Sequence, residues 1–221
     1  MEVSENRRTD SQRVRSLVIE AVEAAADLLD NPVVAQRWDQ PSALAGMTVG
    51  ALGAHLVRAA GATLAYLDRT DPNTEPTGEL LTAVSYFHAA VDSPIHERIR
   101  DVSADEARIG QAETAAKCKK LAADLAARLQ LEPADRLVSA LGDRMLTLDE
   151  FCRTRLIEVL LHLDDLAVSI DEPRPATDPE GPAIVIDVIT GIARQLRGDW
   201  DVLYALARAE RATDPPVFPV F

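Results

Sequence analysis

Two polar residues stand alone inside an apolar run. From Leu156 to Leu163 the chain reads Leu-Ile-Glu-Val-Leu-Leu-His-Leu, and only Glu158 and His162 are polar. On a helix, residues four apart lie one turn above the other, about 40° apart around the axis. A carboxylate oxygen and an imidazole nitrogen at that spacing can reach one divalent cation. Asp165 falls on the same stripe, roughly 20° from Glu158. Arg155 lies on it too. The flanks are apolar almost all round, so the helix is expected to be buried. A buried ionised carboxylate is costly unless it is paired or metal-bound.

Two ligands from one helix hold a metal poorly, so a third is expected from a facing helix. His55 is the candidate, because it sits among small residues that permit close approach: Gly50, Ala51, Gly53, Ala54, Ala59, Ala60, Gly61 and Ala62. His88 and His96 are the competitors and lack such a context. Spacing alone leaves other readings open. Glu158 and His162 also fit a simple hydrogen bond or a solvated stripe, and His55 fits a satisfied core histidine. Asp165 fits either a partner that holds a ligand imidazole or an ordinary ion pair. Arg58 and Arg155 fit contacts to an anionic ligand or surface ion pairs. Cys118 and Cys152 have no metal-type spacing and read as small core residues. Cys152 points about 120° away from the Glu158 stripe. No catalytic residue is assigned.

These residues need helices to position them. Apolar periodicity predicts a first helix over 11–29, closed by Asn31-Pro32. Residues 1–10 are polar and charged and are expected to be disordered, with no signal peptide. A turn-rich loop around Trp38 leads to Thr48, a natural N-cap for a helix over 49–68. Glycine inside a helix costs roughly 1 kcal/mol against alanine, so its repeated use there implies close approach by an element or a ligand. A third helical stretch is expected over 78–99, with a break at Pro94. Ser103-Ala104-Asp105-Glu106 reads as a capping box opening a helix to Leu129. The segment 137–145, with Gly142, reads as an irregular connector. Thr147-Leu148-Asp149-Glu150 is a second capping box, opening the Glu158 helix to about Ile170. A linker over 171–182 holds four prolines. A last helical extension covers 183–213, interrupted at Gly198. The tail over 214–221 is expected to dock through Phe218 and Phe221, on this molecule or on a neighbour.

The bulk numbers agree with a soluble helical protein. Aromatic residues are only 4% and Ala and Leu dominate, which favours an all-α class. The formal charge of −13 argues against nucleic acid and against anionic membranes as partners. No apolar run reaches the ~18 residues a membrane helix needs. Two cysteines without a framework point to a reducing cytoplasm.

Two motifs resemble one family. Trp38, Pro41-Ser42, Leu44, Gly46-Met47-Thr48-Val49 and His55-Leu56 resemble the opening of the mycothiol-dependent maleylpyruvate isomerase N-terminal domain, within the DinB-like four-helix bundle superfamily. The run from Arg155 to Leu166 is similar to its Arg-x-x-Glu-x-x-x-His-x-x-Asp-Leu pattern. The resemblance covers roughly residues 12–170. It implies a DinB-like four-helix bundle over 11–170 with a metal triad of His55, Glu158 and His162. It also implies a divalent metal, usually zinc; nickel, iron and manganese suit the same donors. The metal would bind and activate a low-molecular-weight thiol of the mycothiol type, because a cation stabilises the thiolate. The isomerase carries a second domain after its bundle, and about forty residues follow the linker here. A thiol S-transferase or an isomerase-like relative, acting on a small electrophile, is therefore the expected function. The alternatives are a non-enzymatic helical module, as a homodimer, and a metal-assisted hydrolase.

Overall fold

The computed structural model describes residues 2–76, 78–90, 95–140, 144–211 and 214–220. It is all-α apart from one small hairpin. The helices are α1 (Glu2–Leu29), α2 (Pro32–Gln36), α3 (Val49–Arg69), α4 (Ala83–Ala90), α5 (Ile95–Glu106), α6 (Gln111–Leu129), α7 (Leu148–Ser169), α8 (Glu180–Arg197) and α9 (Asp199–Ala207). Helices α1, α3, α6 and α7 pack around one core. Among its largest buried side chains are Leu29, Leu52, Leu56, Leu125, Phe151, Leu156 and Leu163. Helix α5 lies against α3, and α8 covers α4 and α7.

The helix starts follow capping chemistry. Thr48 accepts a hydrogen bond from the Ala51 N–H, and Thr147 accepts one from the Glu150 N–H. Each cap satisfies a backbone donor that has no partner within its helix. The glycines of α3 answer to protein, not to ligand. A Cβ on Gly50 would lie 2.6 Å from the Trp38 indole, and one on Gly53 would lie 2.9 Å from Leu29. Trp38 is wedged there, its Nε1–H donating to the Ala107 carbonyl at 3.1 Å. The glycines therefore let Trp38 tie α3 to the end of α5.

Several expected boundaries differ. Helix α1 begins at Glu2, not Ser11, so the polar N-terminal residues continue the helix. The Ser103 motif opens no helix. Ser103 lies inside α5, where its hydroxyl donates to the Ile99 carbonyl at 2.7 Å, and α6 starts only after Gly110. Gly110 has φ +86°, a conformation glycine adopts without strain, and this ends the preceding turn. The expected 78–99 helix is shorter at its start, with α4 beginning at Ala83. The break at Pro94 lies outside the described residues.

The irregular connector is a hairpin. Strands β1 (Leu137–Ala140) and β2 (Arg144–Thr147) pair antiparallel, with Val138 opposite Leu146. Gly142 lies outside the described residues. Four residues per strand are too few to show period-2 patterning in the sequence. The hairpin closes onto α3 through Arg136, which donates to the carbonyls of Leu67, Thr70 and Asp71.

Beyond the Pro-rich segment, α8 ends at Gly198, φ +88°. The tail folds back on its own chain: Val217 is buried beside Ala193 and Val202, with Phe218 packed against them. Phe221 lies outside the described residues. No helix among the described residues is long and apolar enough to cross a membrane.

Candidate metal centre

Helices α3 and α7 face each other across the core. Their facing sides bring His55, Glu158 and His162 together, with one donor atom from each within 4.8 Å of the others. Glu158 Oε2 lies 3.4 Å from His162 Nε2 and 3.9 Å from His55 Nε2. The two imidazole rings meet edge to face, 4.7 Å between centroids. Ligand atoms about 2.1 Å from a tetrahedral zinc stand about 3.4 Å apart. The spacing matches that for the Glu158–His162 pair and needs a closure for the Glu158–His55 pair, and the two imidazole nitrogens lie within 4.8 Å. The three residues could therefore hold a metal ion, and they are the donors grouped there among the described residues.

The surrounding side chains set the protons. His162 Nδ1 lies 3.1 Å from Asp165 Oδ2. A carboxylate only accepts, so Nδ1 carries the proton and Nε2 faces Glu158 and the centre. Burial on its own would push His162 down. Hydrogen bonds to Asp165 and Glu158 outweigh it and raise the imidazole to about 9. Burial would likewise raise Glu158, but His162 and Arg155 hold it down to about 2. His55 goes the other way: burial and the neighbouring His162 lower it to about 4. Without a metal, the centre is thus a His162 imidazolium between two carboxylates, beside a neutral His55.

Arg58 acts on the far side of His55. Its guanidinium donates to His55 Nδ1 at 3.0 Å, to Ser103 Oγ at 2.8 Å and to Glu106 Oε2 at 3.0 Å. Arginine cannot accept, so Nδ1 is the acceptor and the neutral ring carries its proton on Nε2. Ligation through Nε2 requires that proton to move to Nδ1. Arg58 must then release the ring, and Ser103 and Glu106 already hold it. Arg58 is thereby engaged with α5 and with His55, not turned to an open ligand space.

Arg155 is buried, with only 6% of its surface exposed. It donates to Thr154 Oγ1 at 3.0 Å and to the Ala59 carbonyl at 3.3 Å. Its Nη2 lies 3.9 Å from Glu158 Oε1. Tyr86 approaches the same guanidinium from α4. The sequence gives Tyr86 no motif, since a Tyr-Phe pair on an apolar helix reads as core. His88 is exposed, and the His96 side chain lies outside the described residues. Cys118 and Cys152 are buried, which pushes both thiols up to about 12 and leaves them inert as nucleophiles.

The fold and the centre together define a helical bundle with an interhelical His-Glu-His site. The chain belongs to the mycothiol maleylpyruvate isomerase N-terminal domain family, whose model matches residues 18–167. The match covers α3 and α7 up to residue 167, and therefore all three residues of the centre. Among curated proteins and among solved structures, nothing matches the chain.

Proposed function

We propose that the chain binds one divalent cation, zinc by preference, through His55, Glu158 and His162, and uses it to activate a low-molecular-weight thiol of the mycothiol type. The observation that carries this is the donor set itself: two nitrogens and one carboxylate, with no fourth protein ligand among the described residues. Catalytic zinc sites keep such an open position for water or substrate. The cation would supply charge that keeps a bound thiol ionised near neutral pH. The chain's own residues do the rest. Asp165 holds the His162 ring, Arg155 neutralises and orients Glu158, and the apolar walls of α3 and α7 limit water.

The reaction proposed is S-transfer to a small electrophile, or thiol-assisted isomerisation. The buried cysteines suit this, since the nucleophile would arrive with the cosubstrate. The test is a conjugation assay on zinc-loaded protein with mycothiol across several electrophiles. Turnover that His55→Ala removes is expected. Zinc-loaded protein that neither binds nor consumes the thiol would refute the thiol reading and leave metal-assisted hydrolysis standing.

Asp165→Asn gives a second expected result. The variant keeps a hydrogen-bond acceptor but loses the charge behind His162. Outer partners of this kind typically cost 10–100-fold in metal affinity when altered, so zinc affinity is expected to fall by roughly that factor. Competition against a chromophoric chelator measures it.

A further inference from the structure

Tyr86 stands by Arg155, next to the centre, because α4 is held at both sides. At its start, the Ala83 N–H donates to the Glu150 carboxylate of α7 at 2.7 Å. On its outer side α8 presses close: a Cβ on Gly191 would lie 2.7 Å from Val84 Cγ2. The Tyr86 ring stands edge-on to Phe151, 6.2 Å between centroids at 81°, and to Phe87, 5.4 Å at 86°. The Arg155 guanidinium lies 6.0 Å from the ring centroid. The same guanidinium is 3.9 Å from Glu158. Arg155 therefore bridges the phenol and the carboxylate of the centre.

That bridge decides what the phenol can do. Burial raises the Tyr86 hydroxyl, and the charge of Arg155 opposes it; the group remains a protonated phenol at neutral pH. Arg155 can only donate to the phenol oxygen. The phenol's own proton must then be offered elsewhere. With a dication on Glu158, the cation and Arg155 outweigh the one carboxylate between them. An anion is the ligand that such a field favours at the open position.

We propose that Tyr86 is a ligand-binding residue of the centre, donating its hydroxyl hydrogen to an anion held at the cation's open position beside Arg155. The assignment rests on the metal reading and is independent of the thiol reading. Cobalt(II)-loaded protein tests it, with azide and 2-mercaptoethanol as probes and the visible cobalt bands as the signal. Tyr86→Phe is expected to bind cobalt with the wild-type spectrum and affinity. It should bind azide roughly tenfold more weakly, the size of one hydrogen bond to a charged group. Tyr204→Phe, on the remote α9, should bind azide as the wild type does. Unchanged azide affinity in Tyr86→Phe overturns the proposal, and so does a wild type that takes up no cobalt. Azide binding that depends on Tyr86, without any response to 2-mercaptoethanol, would sink the thiol function and keep Tyr86. A second readout uses Tyr86→Phe only to assign a resonance. The chain has three tyrosines, so fluorotyrosine labelling gives three fluorine resonances. Azide should move the Tyr86 resonance, and a spectrum that azide leaves unchanged counts against the assignment.

Discussion

His162→Ala is expected to remove measurable zinc binding while leaving the bundle folded. The loss should exceed the 10–100-fold typical of altering an outer partner, because a proposed direct ligand is gone. Two remaining donors from different helices, His55 and Glu158, cannot close a site. The fold should tolerate the change for a specific reason. Glu158 stays ionised beside Arg155, 3.9 Å away, so no unpaired charge is buried. Leu156 and Leu163 of the same helix belong to the main core and do not depend on the imidazole. Equilibrium dialysis with zinc gives the affinity and far-ultraviolet circular dichroism gives the fold. Zinc bound with wild-type affinity by His162→Ala would remove this residue from the centre.

Zinc uptake is expected to release about one proton near pH 7.5. The bookkeeping follows from the three groups. His162, raised to about 9, is protonated there and must lose its proton to ligate. His55, lowered to about 4, is already neutral. Glu158, held down to about 2, is already ionised. Affinity should therefore fall by about tenfold per pH unit below about 9, since one proton competes with the cation. The same shift sets stability without metal. A histidine raised on folding stabilises the fold fully below its unfolded value of about 6.5, and this is lost as pH rises through about 9. His55 acts in reverse: its neutral form is the buried one, so its contribution is present above about 6.5 and lost as pH falls towards about 4. Calorimetry of zinc binding in buffers of different ionisation enthalpy counts the proton. A release near zero at that pH would mean that His162 is neutral before the metal arrives.

The centre was more legible in the sequence than the frame around it. Glu158 and His162 stood out because helical spacing alone places them one turn apart in an apolar run. His55 was reachable through its small neighbours, although those neighbours serve Trp38 and Leu29 rather than a ligand. Thr48 and Thr147 were legible because capping is local chemistry. Ser103 misled for the same reason: its motif is a capping box in isolation, but tertiary contact with Arg58 keeps it inside α5. The hairpin was hidden because its pairing is set by register across a turn and by Arg136, not by composition. Tyr86 was hidden because its role comes from α8 pressing α4 inward, a contact between segments about a hundred residues apart in the chain.

Elemental analysis of the purified chain after zinc loading and desalting tests the central claim most directly. One zinc per chain is predicted for the native sequence, and none for His55→Ala, Glu158→Gln or His162→Ala. Zinc far below one per chain in the native protein, or equal zinc in all four proteins, would contradict a metal centre built from these three side chains.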